Sequence, residues 1–179
     1  MPAKRACQTG HDLKVMRIPP QSLIQDMPCD YMDAYSIILE DKDHRIKIED
    51  LIRFGETPGW ISILMRCRDC VVKILGLKTS NTVMIARDEK FVLKIGLKTG
   101  IFKVTDFNEQ EVVFSEDDKH LKFYLSIFLD QSVSQKSKVT ATTMVIYNNV
   151  MGRIYFFIVK PFHRIIIPAL LKGLLKKVN

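Results

Sequence analysis

The sequence predicts an α+β fold in which a curved antiparallel sheet carries one long C-terminal helix. Three observations predict it. From Phe91 to Tyr147 the chain is a succession of strand-like runs broken by short polar turns. From Met151 to Val178 it is nearly continuous apolar, helix-forming text. Ahead of both stand one strand-like run and two stretches of helical periodicity, so the order is strand, two helices, antiparallel strands, long helix.

The first thirty residues hold four of the seven prolines, Pro2, Pro19, Pro20 and Pro28, which forbids a long helix and predicts an extended arm laid on the domain. Residues 1–14 are expected to be flexible, and 15–179 to form a single domain. The first strand begins at Asp33: "DAYSIILE" alternates Tyr35, Ile37 and Leu39 against Ala34, Ser36 and Ile38. "IKIEDLIRFG" sets Ile48, Leu51 and Ile52 at helical spacing and stops at Gly55, a C-terminal cap. A second helix runs from Trp60 to Leu75, with Trp60, Leu64, Cys67, Val71, Ile74 and Leu75 on one face. Strands follow at Phe91–Ile95, Phe102–Phe107, Gln110–Ser115, Leu121–Asp130 and Lys138–Tyr147, separated by the polar turns "DFNEQ", "SEDDK" and "DQSVSQKS". "LKFYLSIFL" alternates most strictly, with Leu121, Phe123, Leu125, Ile127 and Leu129 on one face and Lys122, Tyr124, Ser126 and Phe128 on the other.

A chain of 179 residues with 47% apolar and 26% charged residues is long enough to bury a core and is not compositionally disordered. Its 27 basic and 20 acidic residues give a net charge of +7, which favours approach to phosphates. The basic residues form no tract and do not interleave with aromatics, so nucleic-acid binding is not expected, and contact with an anionic membrane is peripheral at most. "MPAKRACQTGHDLK" has no apolar stretch after its basic residues, so the expected compartment is the cytoplasm and the four cysteines are expected to stay reduced.

The last helix decides the class of protein. A spanning helix needs about twenty mostly apolar residues, and each Lys or Arg at mid-bilayer costs roughly 2.5–3.5 kcal/mol. Lys160 and Arg164 sit at that centre, so a span is not the expected reading. At 100° per residue Arg153, Lys160 and Arg164 fall within about 40° of one another, and the rest of the wheel is nearly all apolar. The expectation is a mostly buried helix with a narrow outward charged stripe. Pro161 and Pro168 lie on nearly one side and bend it in one sense, around a curved sheet.

Few groupings carry chemistry. "CRDC" (Cys67–Cys70) has metal or redox spacing, but no second ligand pair accompanies it and Cys67 sits on the apolar helix face, so packing is the stronger reading. No metal and no cofactor are expected; G-x-G-x-x-G, G-x-x-x-x-G-K-[ST] and H-E-x-x-H are all missing from the sequence. His163 is the one candidate acid or base, although a histidine at the edge of an apolar face is more often structural. His120, beside "EDDK", reads as a turn residue, and Asp117 and Asp118 diverge as neighbours in a turn.

Several stretches together resemble a known family: "CDYMDAYSI", "RFGETPGWISILMRCRDCVVKILGLKT", "GIFKV", "DDKHLKFYLSIFL" and above all "GRIYFFIVKPFHRIIIPALL". They are similar to the domain of unknown function family 2867, in the same order, from about Val15 to about Leu171. The resemblance implies a helix-grip (START-like) fold, as in the birch-pollen-allergen superfamily, with two shorter helices after the first strand and a curved antiparallel sheet wrapped around the final helix. It implies no established activity and no mapped ligand motif. Related domains follow a Rossmann-type reductase domain; this sequence contains none, so no reductase activity is carried over.

The functional expectation is a soluble module holding a hydrophobic small molecule or lipid between sheet and last helix, lined by Tyr124, Tyr147, Phe157, Phe162 and His163. An enzyme of the cyclase or hydratase sort, using His163 in that cavity, is the second class. A peripheral-membrane or protein-interaction module is the third.

Overall fold

The computed structural model describes residues 18–41, 45–54, 93–99, 102–132 and 135–178. The elements are β1 (Tyr31–Glu40), α1 (Ile48–Phe54), β2 (Lys98–Thr99), β3 (Phe102–Phe107), β4 (Glu111–Asp117), β5 (Leu121–Asp130), β6 (Lys136–Tyr147) and α2 (Val150–Val178). The strands form one open antiparallel sheet in the order β1-β6-β5-β4-β3-β2. The chain is therefore α+β, a sheet followed by a long C-terminal helix.

The bounds of β3 and β5 are those read from sequence, whereas β1 and β6 begin two residues before the runs read there and β4 runs Glu111–Asp117 rather than Gln110–Ser115. The expected strand at Phe91–Ile95 is a correction where it can be seen. Leu93–Ile95 belong to no strand; Leu97 N–H donates to Lys94 O at 3.1 Å, closing a tight turn through Gly96, whose φ of +88° a β-carbon would disfavour, and Gly96 N–H donates to Val104 O at 2.8 Å as the chain enters β2. The expected helix Trp60–Leu75, the "CRDC" pair and the arm 1–14 lie outside the described residues.

Register fixes two faces. Tyr31, Asp33, Tyr35, Ile37 and Leu39 of β1 stand beside Val145, Thr143, Ala141 and Val139 of β6, then Phe123, Leu125, Ile127 and Leu129 of β5. This inner face receives both helices. Leu39, Val139, Leu129, Val112 and Val104 pack there with Leu51 and Ile52 of α1 and Ile167, Leu171 and Leu174 of α2, each such side chain stabilising the fold by roughly 1.5–3 kcal/mol. A smaller cluster near the start of α2 joins Leu121, Val145 and Phe156.

The opposite face carries the segment before β1. Its residues run through consecutive turns rather than an extended path: Ser22 N–H donates to Pro19 O, Gln25 to Ser22 O and Met27 to Ile24 O, because Pro20 pre-sets the first turn. Ile24 then packs with Val113, Met144 and Tyr124.

Helix α2 starts where the sequence provides a cap. Asn149 Oδ1 accepts from Gly152 N–H at 3.1 Å, and Asn149 Nδ2 donates to Lys119 O at 3.0 Å, tying the helix start to the β4–β5 turn. A β-carbon at Gly152 would stand 2.0 Å from His120 O, so this contact requires glycine. From there α2 runs along β1 and β6 at one side of the sheet and meets α1.

The burial of α2 departs from expectation. Among its described side chains only Gly152, Phe156, His163, Ile167, Leu171 and Leu174 are buried. The charged stripe does not point outward alone: Lys160 Nζ sits 4.5 Å from the Tyr31 ring centroid and Arg153 5.9 Å from that of Tyr147. The outward side is instead apolar, with Val150, Ile154, Phe157, Pro161 and Ile165 exposed. By length and composition Val150–Leu174 is sufficient to cross a membrane, yet in this fold one of its sides is docked on the sheet.

Candidate functional site

Between the two inner apolar clusters lies a polar patch. Asp33 enters it from β1, since its parity matches Ile37 and Leu39; Thr143 enters from the directly paired position of β6; His163 descends from α2. All three are buried. His163 Nε2 lies 2.7 Å from Thr143 Oγ1 and 3.5 Å from Asp33 Oδ1, the latter an ion-pair distance at the limit of a hydrogen bond. Tyr31 donates its hydroxyl to Asp33 Oδ2 at 2.7 Å, and the edge of Phe123 meets the imidazole at 5.6 Å. Asp33 Oδ1 has no hydrogen bond of its own.

Burial alone would raise the Asp33 carboxyl, but the neighbouring His163, with the hydroxyls of Tyr31 and Thr143, outweighs it and holds Asp33 below the usual carboxylate range. Tyr31 moves the other way. Burial and then the neighbouring Asp33 charge push its phenol up, against a smaller opposing pull from Arg164.

The chemistry of this arrangement is bounded by which ring nitrogen is used. Thr143 and Asp33 both address Nε2. A nucleophile–histidine–carboxylate relay needs hydroxyl and carboxylate on opposite ring nitrogens, so Thr143 is not set up as a nucleophile by this pair. The patch can instead hold a proton, or present a buried polar pair to a ligand. Among the described residues no three His, Cys, Asp or Glu side chains are placed to hold a metal ion.

Beside the patch the described elements cover the sheet incompletely. Phe123, Leu125 and Ile127, inner-face residues of central strand β5, are only half-buried, as is Phe102 of β3, which stacks on Phe123 at 5.3 Å. At the covered end, by contrast, Val139 and Leu129 are sealed. The difference follows from where α2 lies, along β1 and β6.

The residues singled out from sequence separate accordingly. His163 points inward, and Tyr147 sits on the inner face, 5.9 Å from Phe156. Phe162 is half-buried on α2. Phe157 points away from the sheet and is 79% exposed, while alternation along β5 places Tyr124 on the opposite face, against Ile24 and Met144. His120 is in the β4–β5 turn, 3.3 Å from Asn149 Oδ1, and Asp117 pairs with Lys122 at 2.9 Å at the surface. Sequence reasoning missed Asp33, Thr143 and Tyr31, although the parity of Asp33 with Tyr35, Ile37 and Leu39 was a usable signal.

It also missed Glu111, fully buried on the opposite face. Its Oε1 accepts from Ser22 Oγ at 2.6 Å and from Ser126 Oγ, and its Oε2 from Leu23 N–H at 2.6 Å.

Comparison with known proteins adds little chemistry. No curated protein matches the chain. A solved structure, the hypothetical protein jhp0584 from Helicobacter pylori, is similar at 12% identity and a TM-score of 0.41, over 96% of this chain and 100% of that one. The family model described as "Protein of unknown function (DUF2867)" matches residues 27–170, which takes in every strand, the Asp33–His163 pair and most of α2. The chain belongs to the DUF2867 family of proteins of unknown function.

Proposed function

We propose that this protein binds a hydrophobic small molecule or lipid between the inner face of its sheet and α2, in the manner of a helix-grip, START-like module. One observation carries the reading. Apolar side chains of a central strand, Phe123, Leu125 and Ile127, remain only partly buried next to a buried polar pair with an unbonded carboxylate oxygen. Ligand sites combine these two features, a mostly apolar lining and a few polar groups that fix orientation. His163, Tyr147 and Phe162 remain candidate contacts, joined by Asp33 and Tyr31. Tyr124 and Phe157 are not among them, because they face elsewhere.

The test is organic extraction of protein purified from its own host, followed by mass spectrometry. The expected result is an apolar compound recovered from wild type and depleted from Ile127→Trp, which fills the partly buried row. Recovery of nothing from wild type, or equal recovery from both, sinks the proposal.

The Asp33–His163 pair favours a second reading, acid–base chemistry of the cyclase or hydratase sort on the same ligand, with His163 moving the proton. It predicts that His163→Gln retains a compound chemically different from the one wild type retains. Identical compounds in both would remove this reading and leave binding intact.

A further inference from the structure

We propose that the outward face of α2 docks on an anionic bilayer surface, a role independent of any ligand on the inner face of the sheet. Val150, Ile154, Phe157 and Ile165 are 71%, 44%, 79% and 55% exposed, and Pro161 between them is exposed too. At 100° per residue these five positions fall within about 80° of one another and extend about 23 Å along the helix. They make a continuous apolar stripe rather than scattered surface residues.

The stripe has a cationic border. Arg153, Lys160 and Arg164 occupy the adjoining strip of the wheel, held there by Tyr147 and Tyr31, and Lys172 is exposed further along. Six Lys and Arg residues and no Asp or Glu occur in the 29 residues of α2. A helix lying in a membrane interface needs an apolar side to bury and cations to meet lipid phosphates and carboxylates. An isolated helix must also carry a broad polar face. Here the sheet covers the side that would have borne it, so the sequence of α2 alone does not look interfacial.

Charge decides between a bilayer and a second copy of the chain. Two copies meeting stripe to stripe would bring cationic borders together in a protein of net charge +7, whereas an anionic surface complements them. The distribution also favours lying on the bilayer over crossing it, because His163, Ile167 and Leu171 are committed to the sheet.

The experiment is co-sedimentation with vesicles of phosphatidylcholine alone and of phosphatidylcholine with phosphatidylserine, at low and high salt. Wild type is expected to pellet with the serine-containing vesicles only, and to be released by salt. Phe157→Ser and Ile165→Ser should each weaken partitioning about tenfold, with unchanged melting by circular dichroism, since neither side chain packs in the core. Arg153→Glu should weaken binding to the anionic vesicles. Absence of pelleting, equal pelleting with both vesicle types, or a dimer in sedimentation equilibrium that Phe157→Ser converts to monomer would overturn the proposal.

Discussion

Asp33 and Glu111 are buried carboxylates of the same sheet, on opposite faces, and the fold treats them differently. Glu111 accepts from two hydroxyls and one backbone N–H, none of which titrates near neutral pH, and it joins β4 to the segment before β1 and to β5. Asp33 is met by one phenol and by an imidazole from another element, and one of its oxygens is left without a hydrogen bond. A carboxylate saturated by neutral donors is a fastener. One faced by a titratable ring, with acceptor capacity to spare and partly buried apolar neighbours, has the form of a site.

Substitutions separate the two roles, and the largest effect belongs to the fastener. Glu111→Ala removes the acceptor of two buried hydroxyls and one part-buried N–H and should lower unfolding free energy by about 3–5 kcal/mol in urea titration, with faster proteolysis of residues 18–30. A loss below about 1 kcal/mol would contradict its structural role. Next comes Gly152→Ala, which drives a β-carbon into His120 O and should cost about 1–3 kcal/mol. Because that contact positions α2, the environment of His163 should change in NMR spectra while signals from Val113 and Ile24 hold still.

Asp33→Asn should cost less, about 1–2 kcal/mol at neutral pH, since the amide retains an acceptor for Tyr31. Its clearer effect is on pH dependence. The folded Asp33 carboxyl titrates below its unfolded value, so the unfolded chain binds the proton first as pH falls. The stability Asp33 contributes is present above about pH 4 and is lost as pH drops through the lowered folded value. The wild-type decline in this acid range should be shallower in Asp33→Asn. Asp41, also lowered, with burial opposed by the Ser137 hydroxyl and backbone N–H groups, sustains the remainder.

The smallest effect is expected where buried polarity has no partner. Ser36 Oγ and Thr142 Oγ1 are buried without hydrogen bonds, so Ser36→Ala and Thr142→Val should change stability by less than about 0.5 kcal/mol, or raise it. A loss above about 1 kcal/mol in either would mean that the hydroxyl has a bonded role.

Much of the architecture was legible because period-2 alternation is a local property. "LKFYLSIFL" defines its strand and faces without reference to anything distant. Faces of α2 were legible only in part. The 3.6-residue period groups Arg153, Lys160 and Arg164 correctly, but cannot reveal that tyrosines on β1 and β6 receive Lys160 and Arg153, which leaves the outward side apolar. The site is harder still. His163 could be noticed alone, yet its meaning depends on Asp33, 130 residues away in sequence, and on a strand register that brings Asp33 opposite Thr143. Glu111 gave no signal, since a glutamate at the start of a strand reads as part of a polar turn.

The contrast between the two faces can be measured with methyl-labelled protein titrated with 1-anilinonaphthalene-8-sulfonate as an apolar probe. Saturable shifts are predicted for Leu125 and Ile127 on the inner face, with Ile24, Val113 and Met144 on the Glu111 face unmoved. Shifts centred on the Glu111 face, or no saturable shift at the inner methyls, would contradict the assignment of the ligand site.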